Sequence, residues 1–181
     1  MKLILISIAV FQNYALAAPH PMTGSSLINQ VHTSTVFSQM GFQIKQIPTD
    51  WVLRNPLASQ TQVIEMAPSS STTKAILSFT SEKVSAKTDL EKYVRQYLRD
   101  YNQYGFEVIG LQSLKNSDLN SVVVDLSQKN KATKSRQVFF KKDDKIVLAT
   151  CLDSFARFNK TLLTCNAILD TFQWRSNILV R

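Results

Sequence analysis

The chain has 181 residues, of which 44% are apolar and 19% charged, and it carries a net charge of +8. That much apolar surface with that few charges excludes a disordered chain, and beyond the first residues no stretch approaches the length of apolar chain that spans a bilayer, which excludes a multi-pass membrane protein. The surplus of Lys and Arg suits anionic partners better than cationic ones.

Residues 1–17 read as a secretory signal. Lys2 supplies the positive n-region, residues 3–11 are apolar, Gln12-Asn13-Tyr14 is polar, and Ala15-Leu16-Ala17 has the small-x-small pattern that signal peptidase needs. The apolar run is about half the roughly 20 residues that cross a bilayer, so cleavage before Ala18 is expected rather than anchoring. The expected product is periplasmic or secreted, with no transmembrane segment after cleavage. Cleavage would expose Ala18-Pro19-His20, but a terminal copper site needs an amide N–H at the second position, which Pro19 lacks. His32 is the other histidine. Two histidines without a Cys or carboxylate cluster predict no metal site, and no cofactor is expected.

Residues 18–40 are rich in Ser and Thr and read as a flexible or weakly helical leader. From Gly41 the pattern sharpens. Phe42 and Ile44 alternate with Gln43 and Lys45, which predicts a strand, and residues 51–54 form a second one that Asn55-Pro56 ends. Residues 61–67 and 75–80 are strands joined by a Pro- and Ser-rich connection. Residues 88–104 predict a helix, with Leu90, Tyr93, Val94, Tyr97, Leu98 and Tyr101 on one face, Thr88 and Glu91 as a capping box, and Gly105 as the stop. The tyrosines read as the core face rather than as a stacking platform.

Strands follow at 106–114, 121–127 and 137–141. Asp143-Asp144 turns the chain into 145–152, which is apolar on both faces and so is expected at the centre of the sheet. Residues 158–172 predict the last helix, with Phe158, Leu162, Cys165, Leu169 and Phe172 on one side. The order of elements predicts an α+β sandwich with an antiparallel sheet, one domain over 41–174 and a tail at 175–181.

Gly41-Phe42-Gln43-Ile44 followed by Ile47-Pro48-x-x-Trp51 resembles the opening of PsbP-like domains. The closing block, Ala149-Thr150-Cys151, a helix and Asp170-Thr171-Phe172-Gln173-Trp174, is similar to that family's end, with Thr171 where Ser is usual. The resemblance implies a three-layer α/β/α sandwich with a central antiparallel sheet, and binding or assembly rather than a shared active site.

Two cysteines in an exported chain suggest a disulfide. Cys151 ends a strand and Cys165 lies on the apolar face of the next helix, so a bridge between them would pin that helix to the sheet; two buried free thiols are the alternative. Lys129, Lys131, Lys134, Arg136, Lys141, Lys142 and Lys145 crowd around one β-hairpin against Asp143 and Asp144. They are expected either to form one lobe that contacts an anionic envelope component or an acidic protein, or to be solvated lysines that protect a sheet edge. Nucleic acid does not fit the compartment, and no aromatics interleave the basic loop.

There is no G-x-S-x-G nucleophile elbow, and both histidines precede the domain. Glu65, Glu107 and Asp125 are single acids in strands, Asp125 expected on the solvent side. Asn159-Lys160-Thr161 matches a glycosylation acceptor, though Asn159 suits a helix start better. These features favour a non-catalytic binding or assembly module of the cell envelope. The alternatives are a small envelope hydrolase, or a carrier of a small hydrophobic ligand held between sheet and helix.

Overall fold

The computed structural model describes residues 37–54, 63–70, 73–115 and 119–175. The secretory signal, His20, His32 and the tail beyond Arg175 lie outside the described residues.

Among the described residues, after a helical turn at 37–39, the elements follow in chain order as β1 (Phe42–Ile44), β2 (Trp51–Leu53), β3 (Val63–Pro68), β4 (Ile76–Lys83), α1 (Leu90–Leu98), β5 (Phe106–Lys115), β6 (Asn120–Gln128), β7 (Thr133–Lys142), β8 (Lys145–Ser154), α2 (Phe158–Leu169) and β9 (Phe172–Trp174). Seven strands make one antiparallel sheet in the order β2-β3-β4-β8-β7-β6-β5. β8 is its middle strand, as its two apolar faces require: Ile146 faces the α1 side, while Val147, Ala149 and Cys151 face the α2 side. Asp143 closes the tight β7–β8 turn at φ 51, a left-handed conformation that Asp tolerates.

Each face of the sheet buries its own core. Leu90, Val94 and Leu98 of α1 press onto Val122, Val124, Leu126, Phe139 and Ile146. On the other face, Cys165, Ile168 and Leu169 of α2 cover Phe79, Phe140, Val147 and Ala149. The α+β sandwich therefore has three layers. β1 and β9 pair with each other, away from the large sheet, and send Phe42 and Phe172 into the α2-side core. Phe37 and Met40, in and just after the helical turn of residues 37–39, are buried there too. Phe140 stacks on Phe172 at 4.0 Å, Phe172 on Phe42 at 5.0 Å, and Phe42 meets Phe79 at 5.4 Å. Those rings fill the space between the sheet and α2.

Three expectations need correction. First, the cap of α1 is Asp89 rather than Thr88: its Oδ1 accepts from the Lys92 N–H at 2.8 Å. Glu91 does not reach back to the cap. It binds the Arg95 guanidinium at 2.8 Å and accepts from the Ser113 hydroxyl at 3.0 Å. Second, α1 stops at Leu98, because the chain needs residues 99–105 to turn back into β5. Phe106 N–H donates to the Tyr101 carbonyl, and Gly105 makes the last bend at φ 82. Third, α2 stops at Leu169. Phe172 continues the helical spacing, but its backbone pairs with Ile44 of β1 instead.

The Lys92 N–H holds the Asp89 carboxyl below its ordinary value of 3.8. A depressed pKa means that the cap stabilises above the unfolded-state pKa and loses that contribution as pH falls through the folded-state value. Asp89→Ala is therefore expected to melt at a lower temperature than the native chain near neutral pH, with Asp89→Asn in between. The native and Ala curves should converge in strong acid. Thermal melts in a pH series check this; a gap that persists in acid would contradict it.

Candidate functional site

The basic residues that cluster in the sequence do not form one lobe. β7 is ten residues long, so its ends lie about 30 Å apart at ~3.3 Å per residue. Lys129 and Lys131 are at the β6–β7 turn, where the Lys129 ammonium donates to the Asn102 carbonyl at 3.1 Å and Lys131 takes φ 55. Lys134 lies over the rings of Phe155 and Phe158, 5.3 and 5.7 Å from their centroids. Arg136 is consumed by a two-pronged pair with Asp125, each contact 2.8 Å, and reaches Asn166 of α2 at 3.4 Å. The Asp125 carboxylate holds the Arg136 guanidinium above its ordinary pKa. Asp125 thus faces the α2 side and is half-buried, not solvated as expected.

Lys141, Lys142 and Lys145 stand at the opposite end, around the β7–β8 turn. The sheet register adds a residue that sequence proximity hides. Lys142 pairs with Lys145, and Lys145 with Lys83 of β4, so three lysines stand side by side on three neighbouring strands, on the α2 face. The Lys145 ammonium donates to the Met40 carbonyl at 3.3 Å, close against Gly41, whose φ is 85. The Lys141 ammonium is taken up by the Ala86 and Asp143 carbonyls. Lys83 and Lys142 are exposed, and among the described residues neither forms an ion pair. β4, β8 and β7 are all interior strands, so these lysines do not guard a sheet edge.

Two acids near the sheet core, Asp125 and Asp153, carry structural jobs. Besides Asp125, buried Asp153 accepts from the Ser154 N–H and from the Thr161 hydroxyl, each at 2.6 Å, which ties β8 to the start of α2. Thr161 belongs to the Asn159-Lys160-Thr161 triplet, which lies within α2. Cys151 and Cys165 form a disulfide between β8 and α2, with a Cα–Cα distance of 6.2 Å and both residues fully buried. Among the described residues no group of three His, Cys, Asp or Glu side chains could hold a metal ion, and no helix is long and apolar enough to cross a membrane.

The other site lies across the sheet, beside α1. The tyrosines flank the core stripe instead of forming it. Tyr93 donates its hydroxyl to Glu82, and burial followed by that hydrogen bond pushes its pKa far up. Gln137 Nε2 donates to the Tyr101 hydroxyl at 3.3 Å, and Tyr101 donates to the Tyr97 hydroxyl at 2.9 Å. Burial, then Tyr101, raises the Tyr97 pKa as well. Tyr93 and Tyr97 wall a cleft of ≈ 220 Å³ floored by Ile146, Leu148 and Thr80.

No family model matches the sequence, and no curated protein matches it. Solved structures do share the fold. One is a cyanobacterial PsbP of Synechocystis, with a TM-score of 0.57 at 10% identity over 76% of this chain and 89% of that one. A second is LpqN of Mycobacterium tuberculosis, involved in cell envelope biogenesis, with a TM-score of 0.56 at 14% identity over 75% of this chain and 83% of that one. A third is PA94 of Pseudomonas aeruginosa, with a TM-score of 0.54 at 16% identity over 75% of this chain and 99% of that one.

Proposed function

For a chain with the PsbP-like fold, we propose an exported, non-catalytic binding module of the cell envelope that docks on a phosphate-bearing anionic surface through the lysine-rich end of its sheet. A shared fold does not assign a role, so the reading rests on the site. The observation that carries it is the row Lys83–Lys145–Lys142. Like charges directly opposite on neighbouring strands repel and cost stability. An external anion relieves that repulsion, and the row offers it a line of ammonium groups about 10 Å long at ordinary strand spacing. The signal-like residues 1–17 support export. LpqN, of the same fold, is involved in cell envelope biogenesis, which supports the compartment. The engagement of Asp125 and Asp153 in structural contacts favours binding over acid–base chemistry.

Sedimentation with vesicles containing phosphatidylglycerol tests this. Binding is expected to weaken steeply as salt shortens the screening length. Each lysine removed from the row should cost about fivefold in affinity, the equivalent of about 1 kcal/mol per basic residue at an anionic surface. Lys83→Glu with Lys142→Glu should abolish binding, whereas Lys129→Glu with Lys131→Glu, at the other end of the sheet, should leave it in place. Binding indifferent to salt, or equal in the two double variants, would refute the docking surface.

A further inference from the structure

We propose that the cleft beside α1 binds a neutral, polyhydroxylated ligand, such as one sugar unit of a glycan. It uses the opposite face of the sheet from the lysine row, and it stands independently of that docking surface.

α1 packs over β6, β7 and the Ile146 end of β8, and its Tyr93 reaches Glu82 at the end of β4. No described helix covers the rest of that face, on β8, β4 and β3. The register places Gln137, Thr150, Ser78 and Glu65 in one row across β7, β8, β4 and β3. The adjoining row holds Leu148 and Thr80. Thr150, Ser78, Glu65 and Thr80 are half-buried, yet among the described residues none of their side chains has a hydrogen-bond partner. Gln137 is only 6% exposed, and its Oε1 has no partner either. A buried acceptor such as Gln137 Oε1 is costly to leave unpaired, and the half-buried hydroxyls and carboxylate beside it, bonded only to solvent, are free to exchange water for a ligand.

The wall supplies direction. Gln137 donates to Tyr101 and Tyr101 to Tyr97, so the Tyr97 hydroxyl keeps its own proton for an outside acceptor. Hydrogen bonds in such a chain polarise one another and strengthen the last donor. The raised pKa of Tyr97 keeps that donor protonated at any ordinary pH. The rings of Tyr93 and Tyr97 and the Leu148 side chain give apolar surface for the C–H faces of a sugar. Hydroxyls that both donate and accept match Thr80, Ser78 and Thr150, and carboxylates accept from sugar hydroxyls.

Charge narrows the class further. The residues around the cleft include Glu82 but no Lys or Arg, and Glu65 adds a second carboxylate nearby. A phosphate or carboxylate ligand would face both carboxylates and meet no cation there. The volume of ≈ 220 Å³ suits a single pyranose ring better than a large apolar cargo.

Saturation-transfer NMR on the chain without its signal segment tests the site. The probes are methyl glycosides and disaccharides of glucose, galactose, mannose and N-acetylglucosamine at millimolar concentration, with glucose 6-phosphate and a quaternary ammonium salt beside them. At least one neutral glycoside should receive saturation, and glucose 6-phosphate should bind less well than its parent sugar. Tyr97→Phe keeps the ring and removes the donor, and Thr80→Val removes one hydroxyl. Each should weaken binding about three- to tenfold, the usual worth of one hydrogen bond, without lowering the melting temperature. Lys142→Glu should bind as the native chain does. Three results would each overturn the proposal: no transfer from any neutral glycoside, preference for the phosphate or the cation, or native affinity in both Tyr97→Phe and Thr80→Val.

Discussion

Phe172→Ala is expected to lower the unfolding free energy by about 3–5 kcal/mol, the usual cost of deleting a fully buried phenyl ring. Phe172 is 2% exposed and lies at the crossing point of the α2-side core. Its ring is nearly parallel to Phe140 at 4.0 Å, stacks on Phe42 at 5.0 Å and meets the Trp174 ring edge-on at 5.2 Å. Three ring contacts vanish together, and the surrounding side chains come from β1, β7 and β9, which cannot all close the gap. The ring also anchors β9 over the core where its backbone pairs with Ile44 of β1. A domain of this size has a total stability of about 5–15 kcal/mol, so the variant should sit near the threshold of folding. Urea unfolding checks the value. Phe172→Leu keeps most of the volume and should retain much of the stability. A cost for Phe172→Ala below that of an ordinary surface substitution would mean that this ring is not part of the core.

Removing the disulfide is the second large effect. Cys151 and Cys165 are 14 residues apart, and both are fully buried. Closing a loop of about 15 residues stabilises by roughly 3 kcal/mol in the chain-entropy model, mainly by restricting the unfolded chain. The double variant Cys151→Ala with Cys165→Ala should lose about that much and still fold, since Phe158, Ile168 and Leu169 keep α2 on the sheet. Native protein under strong reductant should behave like the double variant. Amide exchange in α2 should accelerate more than exchange in β6, because the bridge joins α2 to β8 directly. Equal melting temperatures with and without reductant would show that the bond contributes nothing.

The motif that carries the family resemblance turns out to be built of fold-making residues. Gly41 bends the chain at φ 85, Phe42 enters the ring stack, and Trp51, with its N–H bonded to the Pro48 carbonyl, begins β2 and is buried. Such residues are legible without coordinates because each requirement is local: a glycine for a positive φ, an aromatic for a core position. They are silent on function for the same reason. The strand β9 was hidden for a related cause. Phe172 and Leu169 continue the helical spacing of α2, and only pairing with a strand some 130 residues earlier turns Phe172–Trp174 into an extended segment. Asp125, expected on the solvent side, lies on the face of β6 opposite Val124 and Leu126. That second face carries Arg136 and α2, and this depends on what folds over the sheet.

Periodicity and turn residues are therefore enough to specify the α+β sandwich and its middle strand, and cysteine placement brings the two thiols to facing elements, while the structure decides that they bond. These depend on chemistry within a few residues, or on burial that any packing partner satisfies. The candidate sites were decided at another level. Lys83 joins Lys142 and Lys145, and Glu65 joins Ser78, Thr150 and Gln137, only through strand register. Register minimises the free energy of the whole sheet, since a slip of one residue turns every side chain of a strand to the wrong face. No single segment contains that sum, so surfaces assembled across strands appear only once the chain has folded.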